Sequence, residues 1–274
     1  MSNPVEWWHA IRKVLGPAFG GRVLLLGSVF LLGAFAFRPA PSPTQRKAVI
    51  VELFTSEGCS SCPPADELLA HLSEQESLNG ATIIPLGFHV DYWNSLGWQD
   101  RFSSRSYTER QQQYARKLRL DGPYTPQMVV DGTHEFVGNI SSRAQMNIAE
   151  AATRPQQANV QVSSGESGSL RVQARLLEPS ASVDVMLAIT EDKLTTKVRA
   201  GENDGRVLRH AAVVRDFRRV GRAEKGSFDK AVPIHLEKEW DPANLHVVVF
   251  IQAADQGLIE GAVSVPWNSL SGAH

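Results

Sequence analysis

The sequence predicts an α/β domain built on a parallel β–α–β unit, followed by an all-β sandwich domain. Two almost continuous apolar runs, 47–56 and 81–93, are typical of strands buried on both faces, and leucines at helical spacing lie between them. After residue 158 the pattern changes to short alternating apolar and polar segments separated by turn residues, which indicates a sandwich of about a hundred residues. We therefore expect domains at 46–157 and 158–268.

The composition limits the classes of function. The chain has 274 residues, of which 42% are hydrophobic and 21% charged, so it is long enough for two domains and is not disordered throughout. The formal net charge of −1 provides no basic surface for a polyanion. We expect no nucleic-acid partner.

Residues 1–45 are interpreted as an export segment followed by a proline-rich tether. The apolar run 23–37 follows basic residues and ends near a small-x-small site at 34–36. It is shorter than the roughly 20 residues of a comfortable spanning helix. A cleaved signal peptide and a retained membrane anchor both stay open. Either one predicts a periplasmic or other extracytoplasmic protein, secreted or anchored in the inner membrane, where disulfides persist.

The first domain is expected to continue in a regular order of elements. The strand at 47–56 leads through a tight turn at Gly58 into a helix, and the strand at 81–93 follows by a right-handed crossover. The later elements are a polar helix at 103–120, a hairpin with strands at 128–130 and 134–137, and a closing helix at 142–153. In the second domain, the basic run 213–222 is interpreted as a solvated edge of the sandwich.

Cys59 and Cys62 are the only cysteines, and we expect Cys59 at the mouth of the first helix and Cys62 about one turn inside it. A cysteine at a helix N-terminus has its thiolate stabilised by backbone N–H groups and the helix dipole, and the Cys-x-x-Cys spacing lets the second sulfur attack a mixed disulfide on the first. This placement favours a redox pair. A structural disulfide stays open. A zinc site is the weaker alternative, because none of the eight histidines forms a spaced pair near the cysteines.

Four segments together resemble a group of exported, thioredoxin-like bacterial proteins known as a domain of unknown function. These are VELFTSEGCSSCPPAD, FHVDYWNSLGW, YTPQMVVDG and GENDGRVLRHAAVVR. The resemblance covers most of the chain beyond residue 46. It implies the thioredoxin fold for the first domain, a mixed sheet flanked by helices with a helical insertion.

The resemblance also implies roles for five residues. Cys59 would be the attacking thiol and Cys62 the resolving thiol. Pro126 would be a cis-proline beside the sulfurs, and the backbone of Thr125 would pair with an extended substrate. Glu52 would be the buried carboxylate that relays a proton to the resolving cysteine, although a plain carboxylate at a strand edge fits equally well and the loop to Cys59 is one residue longer than usual.

We therefore expect an enzyme, an exported thiol–disulfide oxidoreductase that acts on protein thiols or disulfides and needs no cofactor. Two alternatives stay open. One is a Cu(I)-handling module, in which the two thiolates join His89 or Met128. The other is a non-enzymatic binding protein of the cell envelope, in which the disulfide is static. The sequence gives no oligomeric state, and membrane anchoring through residues 23–37 is an expectation only.

Overall fold

The computed structural model describes residues 46–75, 77–166, 168–178 and 183–271. The expected export segment at 23–37 lies outside these ranges. None of the helices in the described part of the chain has the length and apolar character that crossing a bilayer requires.

The predicted β–α–β unit and the elements after it are confirmed. The two strands of that unit run parallel in register from Lys47 opposite Ala81 to Thr55 opposite His89. Up to residue 153 the elements are β1 (Lys47–Thr55), α1 (Pro63–Ser73), β2 (Ala81–His89), α2 (Arg105–Lys117), β3 (Gln127–Val130), β4 (His134–Val137) and α3 (Ser141–Thr153).

The rest of the described chain is almost entirely β. Its elements are β5 (Ala158–Ser164), β6 (Ser169–Leu176), β7 (Val183–Glu191), β8 (Leu194–Lys197), β9 (Val207–His210), β10 (Val213–Ala223), β11 (Ser227–Pro233), β12 (Leu245–Ala253), β13 (Ile259–Pro266) and a terminal α4 (Trp267–Ser271). Two short 3₁₀ turns lie at Asn94–Leu96 and Pro242–Asn244.

The predicted fold class, a thioredoxin-like α/β domain followed by a separate β-sandwich, is wrong. One eight-stranded mixed sheet runs through both halves of the chain in the order β13-β12-β7-β10-β2-β1-β3-β4. The two halves meet where Val213 of β10 pairs in parallel with Gly87 of β2, and the Gly87 amide donates to the carbonyl of Ala212 at 2.7 Å. The residues from 46 onward accordingly belong to one compact unit.

The interpretation of 213–222 as a solvated edge of a separate sandwich is corrected in one respect. Val213 pairs with Gly87 of β2, so β10 joins the large sheet, whereas the residues after Val213 pair only with β7. Sequence alternation could not show this. Both neighbours of β10 are far away in sequence, and strand patterning reports which face is buried rather than which strands pair. The boundary at residue 158 is not tested by this arrangement and stays a prediction.

The two faces of the large sheet are covered differently. On one face, α1 and α3 pack over β1 and β3, and the three-stranded sheet β11-β6-β5 packs over β7 and β12. On the other face, Tyr107 and Tyr114 of α2 pack against Phe54 and Phe88. The cysteine turn therefore lies between the C-terminal end of β1 and the start of α1, the helix that packs over β1.

Candidate functional site

The candidate site is the turn between β1 and α1, where Cys59 and Cys62 form a disulfide with 5.4 Å between their Cα atoms. Cys62 is the N-cap of α1, and Pro63 and Pro64 fill the next two positions. The turn is closed by hydrogen bonds from the Cys59 amide to Ser56 O and from the Cys62 amide to Cys59 O, each 3.2 Å long. Because proline has no N–H, this helix start offers fewer free donors to a thiolate than most.

Both cysteines are fully buried, whereas Ser60 and Ser61 between them are exposed. The oxygen of the Ser61 hydroxyl lies 3.3 Å from Sγ of Cys59. A disulfide sulfur carries no hydrogen, so the hydroxyl is the donor in this contact. An incoming thiolate consequently meets the serines first and reaches sulfur only if a neighbouring segment moves.

That neighbouring segment is the connection between β8 and β9. The Asn203 side chain is buried, and its Nδ2 donates to Glu57 O and to Cys59 O, at 2.9 Å each. The Ser60 amide donates to Oε2 of Glu202 at 3.0 Å. Gly201 has a φ of +76° and packs on Trp98, where an added Cβ would lie 3.2 Å from the tryptophan Cβ. Residues 201–203 thus form a cap over the cysteine turn, and we call them the capping loop.

The peptide bond between Thr125 and Pro126 is cis. Trp93 connects this bond to the cysteine turn. Its indole Nε1 donates to Oγ1 of Thr125 at 2.8 Å, and its Cβ lies so close to Gly58 that a side chain there would approach within 3.2 Å. Trp93 therefore contacts both Thr125 and Gly58 of the cysteine turn, and the position of Pro126 beside the sulfurs that the resemblance implied stays a prediction.

A chain of buried polar side chains lies behind the cysteine turn. The Glu57 amide donates to Oδ2 of Asp100 at 2.8 Å, and the same oxygen lies 2.7 Å from Nδ1 of His89. The Glu57 carboxylate accepts a hydrogen bond from Trp98 Nε1 at 2.8 Å and lies 3.3 Å from Nε2 of His210. Oε1 of Glu57 and Nε2 of His210 are thus close enough for an ion pair, but their geometry does not meet that of a hydrogen bond.

The charges in this buried cluster stabilise one another. Burial by itself lowers the pKa of His89, but the Asp100 carboxylate outweighs it, so the pKa of His89 is raised. Burial raises the pKa of Asp100, yet His89 reverses the effect and the pKa of Asp100 is lowered. Asp66 differs, because burial raises its pKa more than His210 and His89 lower it. The charged form of the pair His89–Asp100 is therefore favoured, whereas burial favours the protonated form of Asp66.

Asp66 also has a direct relation to the disulfide. It lies four residues after Cys62, so the two side chains share one face of α1, and its amide donates to Cys62 O at 3.1 Å. Asp66, His89 and His210 line a small buried space at the end of β1 and β2.

Glu52, the fifth predicted site residue, belongs to a different cluster. Its carboxylate binds both Nε and Nη2 of Arg110, at 2.5 and 2.9 Å, and accepts a hydrogen bond from the Tyr114 hydroxyl at 2.5 Å. Gln252 completes the group through Arg110. This network lies on the α2 side of the sheet, and no contact joins Glu52 to either cysteine among the described residues.

The copper alternative finds little geometric support. His89 Nδ1 is engaged with Asp100, and Met128 is fully buried in the core formed with α1 and α3. In the part of the chain that the structure describes, His, Cys, Asp and Glu side chains nowhere form a group of three placed to hold a metal ion.

Sequence reasoning did not assign roles to several residues of the site. Glu57, Asp66, Asp100 and His210 were missed because they lie in four separate segments of the chain, and His210 belongs to the two-stranded sheet β8-β9 that meets α1 only in the folded protein. Asn203 lies in the GENDG stretch that carries part of the resemblance. A polar cluster between two short strands was the available signal, but its contact with residue 59 could not be inferred from spacing.

The chain belongs to the family described as Protein of unknown function (DUF1223), whose model matches residues 50–252. No curated protein matches it. It is similar to the crystal structure of protein AGR_C_4864 from Agrobacterium tumefaciens, with a TM-score of 0.66 and 27% identity over 82% of this chain and 97% of that one. It is also similar in fold to HBP35 of Porphyromonas gingivalis, with a TM-score of 0.58 and 16% identity over 84% and 78% of the two chains.

Proposed function

We propose that this protein is a thiol–disulfide oxidoreductase that exchanges disulfides with protein substrates through Cys59 and Cys62. One observation carries the proposal: the disulfide spans the start of α1 at the end of a buried parallel strand, with the cis Thr125–Pro126 bond held nearby by Trp93. The dipole of α1 favours thiolate on a cysteine at its start, although Pro63 and Pro64 remove two of the N–H donors there, and a neighbouring extended segment gives a peptide substrate a place to pair.

The exchange starts from the oxidised form in two balanced steps. A substrate thiolate attacks Sγ of Cys59, the Cys59–Cys62 bond breaks, and Cys62 leaves as a thiolate that takes up a proton. A second substrate thiolate then attacks the mixed disulfide, which oxidises the substrate to a disulfide and releases Cys59 as a thiolate. The reverse sequence reduces a substrate disulfide. Cys62 is then the resolving thiol, and Asp66 on the same helix face is the nearest carboxyl with a raised pKa to exchange its proton.

Access to sulfur requires the capping loop to open, because both cysteines are buried beneath it. A substrate segment that pairs with the backbone at Thr125 would replace contacts of the loop. The proposal therefore includes a gated active site whose closed state is the one described.

We also propose that the protein works outside the cytoplasm. A disulfide at a helix start persists in oxidising compartments, and reducing systems in the cytosol would open it. The apolar run 23–37 in the sequence supports the same compartment.

The decisive experiment is the reduction potential of the Cys59–Cys62 couple in glutathione buffers, combined with trapping. A catalytic pair falls between about −120 and −270 mV, and its position distinguishes an oxidant from a reductant. Cys62→Ser should accumulate mixed disulfides with other proteins, whereas Cys59→Ser, the matched control, should accumulate far fewer. A potential below about −300 mV with no trapped species would contradict the proposal.

The complete burial of both cysteines favours one second candidate, a static disulfide in a non-enzymatic binding protein. In that case the disulfide would resist reductants until the protein unfolds. Thiol release and loss of near-ultraviolet circular dichroism would then follow the same time course. Release that precedes unfolding would exclude the static role.

A further inference from the structure

A cavity of about 830 Å³ lies between α2 and the face of the large sheet that α2 covers. One wall is a single face of α2, formed by residues at helical spacing from Ser106 to Lys117. The floor comes from Met186 of β7 and Phe217 of β10, and the far end is the turn that follows β12. The cysteine turn leads into α1, which packs on the other face of the sheet. This cavity is therefore separate from the redox site.

The bulge in β10 gives the cavity its charge. Arg219 lies opposite Met186 and Arg222 opposite Asp184, with a register shift between the two pairs. Without that bulge, residues 219 and 222 would point to opposite faces of the sheet. The bulge places both arginines beside Met186, above the same apolar floor.

Cations outnumber carboxylates around this space. The lining includes three carboxylates, from Glu109, Asp184 and Asp255, and five cationic side chains, from Arg110, Arg116, Lys117, Arg219 and Arg222. Arg218 also borders the space, but its side chain points to the other face of the sheet and binds the carbonyl of Pro233. Asp184 pairs with Arg219 and Arg222, and Arg218 pairs with Asp216. Arg116 and Lys117 form no ion pair with any residue that the structure describes. Two exposed cations at the end of α2 are therefore available to a ligand.

One buried side chain shows that the cavity is more than a charged surface. Arg110 is only 4% exposed. Its Nε and Nη2 are bound to Glu52, but its Nη1 makes no hydrogen bond within the described ranges. This N–H is therefore free to donate to an anionic ligand.

We propose that this cavity binds a small organic anion. Its apolar body lies on Met186 and Phe217, and its negative group is held by Arg116 and Lys117. Charge-assisted hydrogen bonds to arginine and lysine fix the anionic end, while the concave apolar floor supplies the buried area. This binding site is independent of the thiol–disulfide exchange proposed above.

The test is fluorescence titration of the full chain with 8-anilinonaphthalene-1-sulfonate, an anion with an apolar body and one N–H donor. We expect saturable binding with one site. The uncharged analogue N-phenyl-1-naphthylamine, which keeps the apolar body and the N–H, should bind about tenfold more weakly, corresponding to loss of one good charged contact. Equal binding of the two probes would overturn the proposal, as would the absence of saturable binding.

Variants locate the site. The double substitution Arg116→Ser with Lys117→Ser should weaken binding of the sulfonate by about tenfold and leave binding of the neutral analogue unchanged. Arg143→Ser with Lys238→Ser removes the same charge from exposed positions outside the cavity and should leave both affinities within about twofold. An equal loss in the two double variants would show that only net charge matters and would overturn the proposal. Near-ultraviolet circular dichroism confirms that each variant is folded before titration.

Discussion

The side-chain amide of Asn203 donates hydrogen bonds to the carbonyl oxygens of both Glu57 and Cys59, each at 2.9 Å. One buried amide from the second half of the chain therefore fixes the backbone on which the disulfide is built. The neighbouring Glu202 binds the Ser60 amide from outside. Opening of the disulfide and movement of this loop are consequently coupled.

Asn203→Ala should open the site and weaken the fold. Two buried carbonyls lose their donor, so the free energy of unfolding should fall by about 1–3 kcal/mol. Reduction of the disulfide by dilute dithiothreitol should become about tenfold faster, since roughly 1.4 kcal/mol of loop closure is lost. Asn244→Ala, which removes an exposed amide bound to Asp241, is the control. An unchanged reduction rate in Asn203→Ala would show that the loop does not gate the sulfurs.

Glu202→Gln should raise the reduction potential of the disulfide. Hydrogen bonds from the Ser60 side chain and then from the Ser60 amide lower the pKa of Glu202, so its carboxylate is charged where it meets the cysteine turn. A negative charge there disfavours a thiolate on Cys59. Neutralising it should shift the potential upward by about 10–30 mV. Asp204→Asn removes an adjacent exposed charge without this contact, and a shift of the same size in that control would contradict the explanation.

Asp66→Asn should stabilise the protein in a pH-dependent way. The pKa of Asp66 is raised in the folded state, chiefly by burial, so ionisation of this carboxyl costs stability. That cost is absent below the unfolded pKa near 3.9, grows as pH rises through the folded pKa, and is complete above it. Urea unfolding should therefore show a gain of about 1 kcal/mol or more at pH 8 and little gain at pH 4. Exposed Glu67→Gln, the control, should show no such trend.

Glu52→Gln separates a structural role for this residue from the proton relay that the sequence suggested. The change leaves the buried Arg110 without a counter-charge, so the free energy of unfolding should fall by about 3–5 kcal/mol. The reduction potential of the disulfide, measured below the unfolding range, should equal that of the unmodified protein. A change in its pH dependence would restore the relay interpretation for Glu52.

Residues 158–268 expressed alone should fail to fold. In the full chain, β10 of this segment pairs with β2, and β7 and β12 continue the same sheet. Isolation exposes Val248 and Phe250 of β12, which belong to the core that includes Tyr107 and Tyr114 of α2, and this exposed apolar surface favours aggregation. Dispersed amide resonances from the isolated segment would contradict this expectation. Co-expression with residues 46–157 tests whether the two pieces restore each other.

The sequence was sufficient for local structure. Apolar runs located β1 and β2, the leucine spacing located α1, and the Asp131–Gly132 turn located the hairpin. These patterns depend on residues within one or two turns of one another. The fold class failed because the pairing of Val213 with Gly87 joins segments more than a hundred residues apart, and periodicity contains no information on such pairs.

The candidate site was accessible from sequence only in part. Cys59, Cys62 and the Thr125–Pro126 bond carry motif signals, and one tryptophan contacts both segments. Glu52 lies in an ion pair with Arg110 instead. A buried carboxylate requires a cation or hydrogen-bond donors, and the packed helix α2 supplies Arg110. Asp66 showed no signal beyond helix-start chemistry, since its altered pKa depends on burial by later segments.

The late closure of the large sheet also sets the order of events during synthesis. Gly87 of β2 has no partner until Val213 of β10 emerges, more than a hundred residues later, which takes the ribosome on the order of ten seconds. Throughout that interval Phe54 and Phe88 also lack the apolar residues of β10 and β12 that complete their core. The first half of the chain therefore reaches its final packing only after most of the second half has been synthesised.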